Sequence, residues 1–192
     1  MRFPDLVARL PRTRAAAAYA EEQHAGQRRK VDGAPFIEHP REVAWLLYRA
    51  GAPDHVVAAG VLHDTIEKTD ADIEELRARF GRDTAELVLA VSEDPGIRTY
   101  AQRKAALRAQ AAAAGPEALM VFAADKISKV REYSLGETTR RPSQRRLTHY
   151  RRCLNLLERS LPESPLVIQL KIEFERLMTP PPALRGTLAR AL

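Results

Sequence analysis

The sequence predicts an all-α fold in one domain, and three observations carry that reading. Glycine accounts for only 9 of the 192 residues. No alternating Val/Ile/Thr segment reaches strand length. Apolar residues instead recur three and four apart along most of the chain. The length suits one domain at roughly 100–200 residues per domain, and a chain of this size buries well over half of its unfolded surface.

Arg12 to Ala25 is alanine-rich and helix-prone. A loop from Gly26 to Glu38 carries Gly33 and Pro35 and leads to His39-Pro40, where proline suits a first helical turn. Val43, Leu46, Leu47 and Ala50 give that helix its stripe, and Gly51 ends it. Pro53 to Glu67 reads as one helix, apolar on most sides and therefore central. Asp70 or Asp72 caps the next, which runs on Ile73, Leu76 and Phe80 to Gly81. Further helices are expected over Asp83–Ser92, Thr99–Ala114, Glu117–Tyr133, Ser143–Leu161 and Leu166–Met178, with a loop at Gly136–Pro142. The domain is expected to span residues 1–179. Pro180-Pro181-Pro182 opens an expected flexible tail over 180–192.

Composition narrows the function. The 31 Lys+Arg against 25 Asp+Glu give a net charge of +6. Arginine supplies 25 of those cations and lysine only 6, and the basic clusters (Arg28-Arg29-Lys30, Arg140-Arg141, Arg145-Arg146, Arg151-Arg152) are short. Scattered groups of this kind suit a small anion better than a polymer, so no nucleic-acid partner is expected. The single Cys153 excludes an intramolecular disulfide framework and reads as a packing residue. No apolar run approaches the ~20 residues of a membrane helix. Arginines and Asp5 break the first 20 residues, so a cytoplasmic protein is expected.

The informative pair is His63-Asp64, placed by this reading inside the buried central helix. An imidazole beside a carboxylate is costly to bury without compensation, and a bound metal takes nitrogen and oxygen ligands together. His39 stands 24 residues earlier at a helix start, where a helix hairpin brings it alongside His63. Asp125 follows the apolar run Val121-Phe122-Ala123-Ala124 on a second core-like helix. Glu67 lies four residues after His63, on the same helical face.

This H…HD…D order resembles the HD-domain superfamily of metal-dependent phosphohydrolases. Within it the chain looks like the small alarmone hydrolases, related to the hydrolase half of the Rel/Spo family. The matching stretches are His24 to Lys30, Gly33 to Pro40, Ala58 to Glu67, Phe80-Gly81, Ala124-Asp125-Lys126 and Ser143 to Tyr150, covering about residues 15–160. The resemblance implies a bundle of roughly eight to ten helices around one metal site. In it His39, His63, Asp64 and Asp125 would hold one divalent cation, usually Mn²⁺. Glu67 would handle the water or the departing group, with Lys68 beside it at the reaction centre. Arg29 and Lys30 would meet the nucleotide or its phosphates, and Arg146 with Tyr150 would close the pocket. The implied activity is removal of the 3′-pyrophosphate from guanosine tetra- and pentaphosphate.

Two positions depart from the family pattern. Lys68 stands where the family has an aspartate, and Lys129 where it has an asparagine by the substrate. Both changes strengthen anion capture. They leave open an enzyme for a different nucleotide, or a catalytically weak module that binds one.

Overall fold

The structure is a computed structural model that describes residues 3–134 and 141–179. The expected tail at 180–192, and the expected loop up to residue 140, lie outside the described residues. Within them the chain forms eleven helices in this order: α1 (Phe3–Val7), α2 (Pro11–Gln23), α3 (Glu38–Arg49), α4 (Asp54–Leu62), α5 (Thr65–Lys68), α6 (Ile73–Phe80), α7 (Arg82–Val91), α8 (Tyr100–Ala113), α9 (Pro116–Ser134), α10 (Gln144–Ser160) and α11 (Pro165–Met178). The all-α expectation holds. The count exceeds the expected eight to ten because two short helices, α1 and α5, stand apart from their neighbours.

The central helix is shorter than the sequence suggests. It ends at Leu62, and His63-Asp64 form the break before α5 rather than lying inside one helix. Local chemistry explains the break. His63 Nδ1 donates to the Gly60 carbonyl at 2.8 Å, and Thr65 Oγ1 donates to the Leu62 carbonyl at 2.7 Å. These side chains occupy acceptors that the i−4 ladder would otherwise use.

α4 is nevertheless the centre of the fold. Val56 through Leu62 are all buried, and α2, α3, α7 and α9 pack around them. Its first residue also caps a neighbour. The Asp54 carboxylate accepts the backbone N–H groups of Arg12 and Thr13 at 3.0 and 2.9 Å, which would otherwise be orphans at the start of α2. Asp72 caps α6 by accepting the Glu75 N–H, and Thr99 caps α8 by accepting the Gln102 N–H.

α3 and α4 form a hairpin turned at Gly51, whose φ of +79° suits glycine. Gly60 lets the two helices approach closely, since a Cβ there would stand 2.3 Å from Leu47 Cδ1. That hairpin brings the start of α3 beside the end of α4, and so brings His39 to His63. α9 crosses both helices, while α10 and α11 pack on α9.

Candidate metal centre and its cavity

His39 and His63 face one another through their Nε2 atoms at 3.2 Å. Each is oriented from behind. His63 Nδ1 must carry the hydrogen, because its partner is the Gly60 carbonyl. For His39 the same follows through Ser128: that hydroxyl donates to Glu42 Oε2 at 2.7 Å and accepts from His39 Nδ1 at 2.8 Å. Glu42 in turn accepts from Arg131, which also donates to the buried Glu173 on α11. With both Nδ1 atoms donating, the two Nε2 atoms face one point, where each offers a lone pair once it carries no proton.

Two carboxylate oxygens face the same point. Asp64 Oδ2 lies 3.5 Å from His39 Nε2 and 3.4 Å from His63 Nε2; Asp125 Oδ1 lies 3.3 and 3.5 Å from them. Both oxygens are buried; Asp64 Oδ2 has no hydrogen-bond partner, and Asp125 Oδ1 is met by the Lys129 ammonium at 2.8 Å. Two imidazole nitrogens and two carboxylate oxygens thus face one another; lysines meet the carboxylates from outside, and a cation among the four atoms would compensate them from within. A cation with bonds of about 2.0–2.2 Å spaces adjacent ligands about 3.0–3.5 Å apart, and all five separations fall in or at the edge of that range. Among the described residues, His39, His63 and Asp125 form a group whose ligand atoms all lie within 4.8 Å of one another; Asp64 is not part of that group but stands against both rings.

The electrostatics agree. Burial pulls the His63 pKa down, but Asp64 and Asp125 overcome it and raise it to about 9. Burial pushes Asp64 up, yet Lys129 and His63 hold it well below the carboxylate range. Asp125 is likewise pushed up by burial and held well below by Lys126 and Lys129. The pocket is built to hold positive charge.

This cluster lies at a cavity of about 670 Å³ that His39 and Asp64 help line. Arg28, Arg29, Lys30, Glu67, Lys68, Lys129, Arg146 and Tyr150 also line it, so it gathers every substrate or catalytic candidate from the sequence. Five of the six lysines reach this cavity, in a chain whose other cations are almost all arginine. Arg29 is not free there: its guanidinium pairs with Asp32, whose pKa it lowers. The loop holding Arg28 to Lys30 is a tight hairpin, closed by the Arg28–Pro35 bridge. Arg146 meets the Tyr133 hydroxyl, and burial raises the Tyr150 phenol above its ordinary range.

The HD-domain family profile matches residues 16–149. The chain belongs to the HD-domain family. Human guanosine-3′,5′-bis(diphosphate) 3′-pyrophosphohydrolase is 39% identical over 120 residues, which cover 61% of this chain and 66% of that protein. A probable enzyme of the same name from Synechocystis is 47% identical over 78 residues, 41% of this chain and 10% of that protein. The matched stretches therefore span just under two thirds of the human relative and a tenth of the cyanobacterial one. Among solved structures, a metazoan ortholog of SpoT described as hydrolysing ppGpp superposes with a TM-score of 0.74 at 26% identity, over 86% of this chain and 94% of that one. A Listeria monocytogenes protein superposes with a TM-score of 0.67 at 27% identity, over 77% and 99%.

The sequence did not point to several groups around this HD site. Ser128, Glu42 and Glu132 surround the His39 ring. Asp125, Ser128, Lys129 and Glu132 follow an i, i+3, i+4, i+7 pattern, a polar stripe on an otherwise apolar helix that could have marked them. His149 also lines the cavity, where Arg108 donates to its Nδ1 at 2.9 Å. Burial and the nearby Lys126 and Lys104 lower its pKa to about 2, so it stays neutral. Its sequence neighbourhood carried no such signal.

Proposed function

We propose that this HD-domain chain is a divalent-metal phosphohydrolase that removes pyrophosphate from a guanine nucleotide, with guanosine 3′,5′-bis(diphosphate) as first candidate. The observation that carries the reading is the convergence of His39, His63 and Asp125, with Asp64 against both rings, at a cavity walled by lysine and arginine. The names of the similar proteins supply the substrate. These four residues fit one divalent cation, and Mn²⁺ is the proposed one. When bound, such a cation lowers the pKa of water and draws charge from phosphoryl oxygens.

The remaining roles belong to the chain itself. Glu67, fixed at the cavity edge, takes or returns a proton during attack of water. Lys30 and Arg146 hold the polyanion, and Arg29 adds charge from its place beside Asp32. Tyr150 closes the wall, and the neutral His149 offers a polar but uncharged surface. A nucleotide substrate goes with a cytoplasmic setting.

A second reading has one observation behind it. The Lys68 and Lys129 ammonium groups sit 3.4 and 2.8 Å from the Asp64 and Asp125 carboxylates, beside the proposed reaction centre. That charge favours capture of a nucleotide without turnover. Incubating the protein with a guanine nucleotide panel and Mn²⁺ separates the two. Release of pyrophosphate, lost in His63→Ala and Asp125→Ala together with bound metal, is the expected result. Tight binding with neither pyrophosphate nor phosphate released would overturn the hydrolase.

A further inference from the structure

The two lysines that depart from the family pattern occupy equivalent places. Each stands four residues after a proposed metal-ligating aspartate and reaches back to it: Lys68 to Asp64 from the last residue of α5, Lys129 to Asp125 from the middle of α9. Residues four apart on a helix share a face, so both pairings are built into the local geometry. Lys126 adds a third cation on Asp125 Oδ2. Two carboxylates are thus met by three ammonium groups, −2 against +3, before any metal arrives. Lysine is a compact point charge on a flexible stem, and it appears here in a chain that otherwise favours arginine.

The two pairings differ in which oxygen they engage. Asp64 turns Oδ2 to the histidines, and Lys68 sits by the other oxygen, Oδ1. Asp125 turns Oδ1 to the histidines, and Lys129 sits by that same oxygen. Lys129 is therefore a direct competitor for a ligand atom, whereas Lys68 only dilutes the charge behind one. Like charges at such separations repel by several-fold more in a protein cavity than in water.

From this arrangement we infer that Lys68 and Lys129 are internal counter-ions of the metal centre, holding its carboxylates together without metal and weakening its grip on a divalent cation. The metal is then an exchangeable ligand whose occupancy follows its supply. The inference rests on the proposed reading of the cluster as a divalent-cation site.

The test is calorimetric titration of Mn²⁺ into the chelator-stripped protein, without nucleotide, alongside melting of the metal-free and loaded forms. Lys129→Gln should bind Mn²⁺ at least ~10-fold more tightly. Lys68→Gln should gain less, about 2–5-fold, and Lys129→Arg, which keeps the charge, should stay near the parent. The metal-free melting temperature of Lys129→Gln should fall, while the rise on adding Mn²⁺ should grow. Lys129→Met, of similar reach and no charge, serves if the glutamine variant does not fold. Parent-like or weaker affinity in both neutral variants overturns the inference while leaving the metal reading intact, as does a larger gain at Lys68 than at Lys129. If the parent and all variants bind no Mn²⁺, the metal reading falls first and takes this inference with it.

Discussion

Glu67 accepts the backbone N–H of Glu93 through Oε1 at 2.6 Å. That bond ties α5 to the loop after α7 and fixes a carboxylate at the cavity edge that would otherwise be an exposed side chain on a four-residue helix. A group held this way has its second oxygen available to a substrate or a water. If Glu67 moves a proton, Glu67→Gln should cut turnover by roughly 10²–10⁴-fold while Mn²⁺ stays bound. Metal content measured beside steady-state hydrolysis checks this. Loss of both together would make Glu67 a support of the metal centre, and turnover within a factor of two would make it a surface carboxylate.

Ser128 orients His39 by accepting its Nδ1–H and passing its own hydrogen to Glu42. Removing the hydroxyl leaves a buried N–H unpaired and frees the ring to adopt the other tautomer. Ser128→Ala should therefore weaken Mn²⁺ binding by roughly 10–100-fold, the usual effect of losing a group that orients a metal-ligating histidine. Equilibrium dialysis gives the number directly. A parent-like affinity would show that the Gly60 carbonyl, the Phe36 ring 5.8 Å from His39 and the packing of α3 against α9 position the rings without it.

Glu93 gives a pH signature away from the metal ligands. Burial raises its pKa, but Lys104 and Arg103 together overcome that and hold the carboxyl below its ordinary value. A depressed folded-state pKa means the ionised form is favoured by folding. Its contribution is complete above the unfolded pKa, about 4.3, and disappears as pH falls through the lower folded value. Glu93→Gln should thus melt below the parent at pH 7, and the gap should close as pH falls from the unfolded pKa through the lower folded one. A gap that persists unchanged however far the pH is lowered before unfolding would assign the effect to packing instead.

The helices and their order were legible because apolar spacing and end signals agreed at most positions. Asp72, one of the two expected caps, does cap α6; Thr99, read as the helix start, caps α8; and the most apolar segment is the central one. The clustering of His39, His63, Asp64 and Asp125 was legible for a different reason: His and Asp have no cheap place within apolar segments, so their presence there marks a compensating group. What was not legible turns on side-chain-to-backbone bonds and on contacts between distant helices. The break at His63-Asp64 depends on where His63 Nδ1 finds its acceptor, which periodicity does not encode. The commitment of Arg29 to Asp32 is local, but three-residue spacing in a loop does not announce an ion pair. Arg108 and His149 are 41 residues apart and meet only because α8 packs on α10.

Gly60 joins the fold to the metal centre and sets two effects against each other. Replacing a helix-interior glycine by alanine should stabilise α4 by about 0.5–1 kcal/mol, since glycine loses more backbone freedom on folding. Against that, the added methyl would stand 2.3 Å from Leu47 Cδ1 and 3.3 Å from Val43 Cγ1. Leu47 and Val43 are fully buried, so neither can swing into solvent, and forcing a methylene into such a contact costs about 1–3 kcal/mol. Overpacking outweighs the gain by up to about 2.5 kcal/mol. Gly60→Ala should therefore melt lower than the parent, by about 2–4 °C for each kcal/mol in a protein of this size. The strain should also reach the site, because α3 carries His39, His63 directly follows the last residue of α4, and the Gly60 carbonyl orients the His63 ring. Mn²⁺ affinity should fall with the melting temperature. A variant that melts higher than the parent would mean that α3 and α4 have room to part, and that the close approach between them does not set the spacing of His39 and His63.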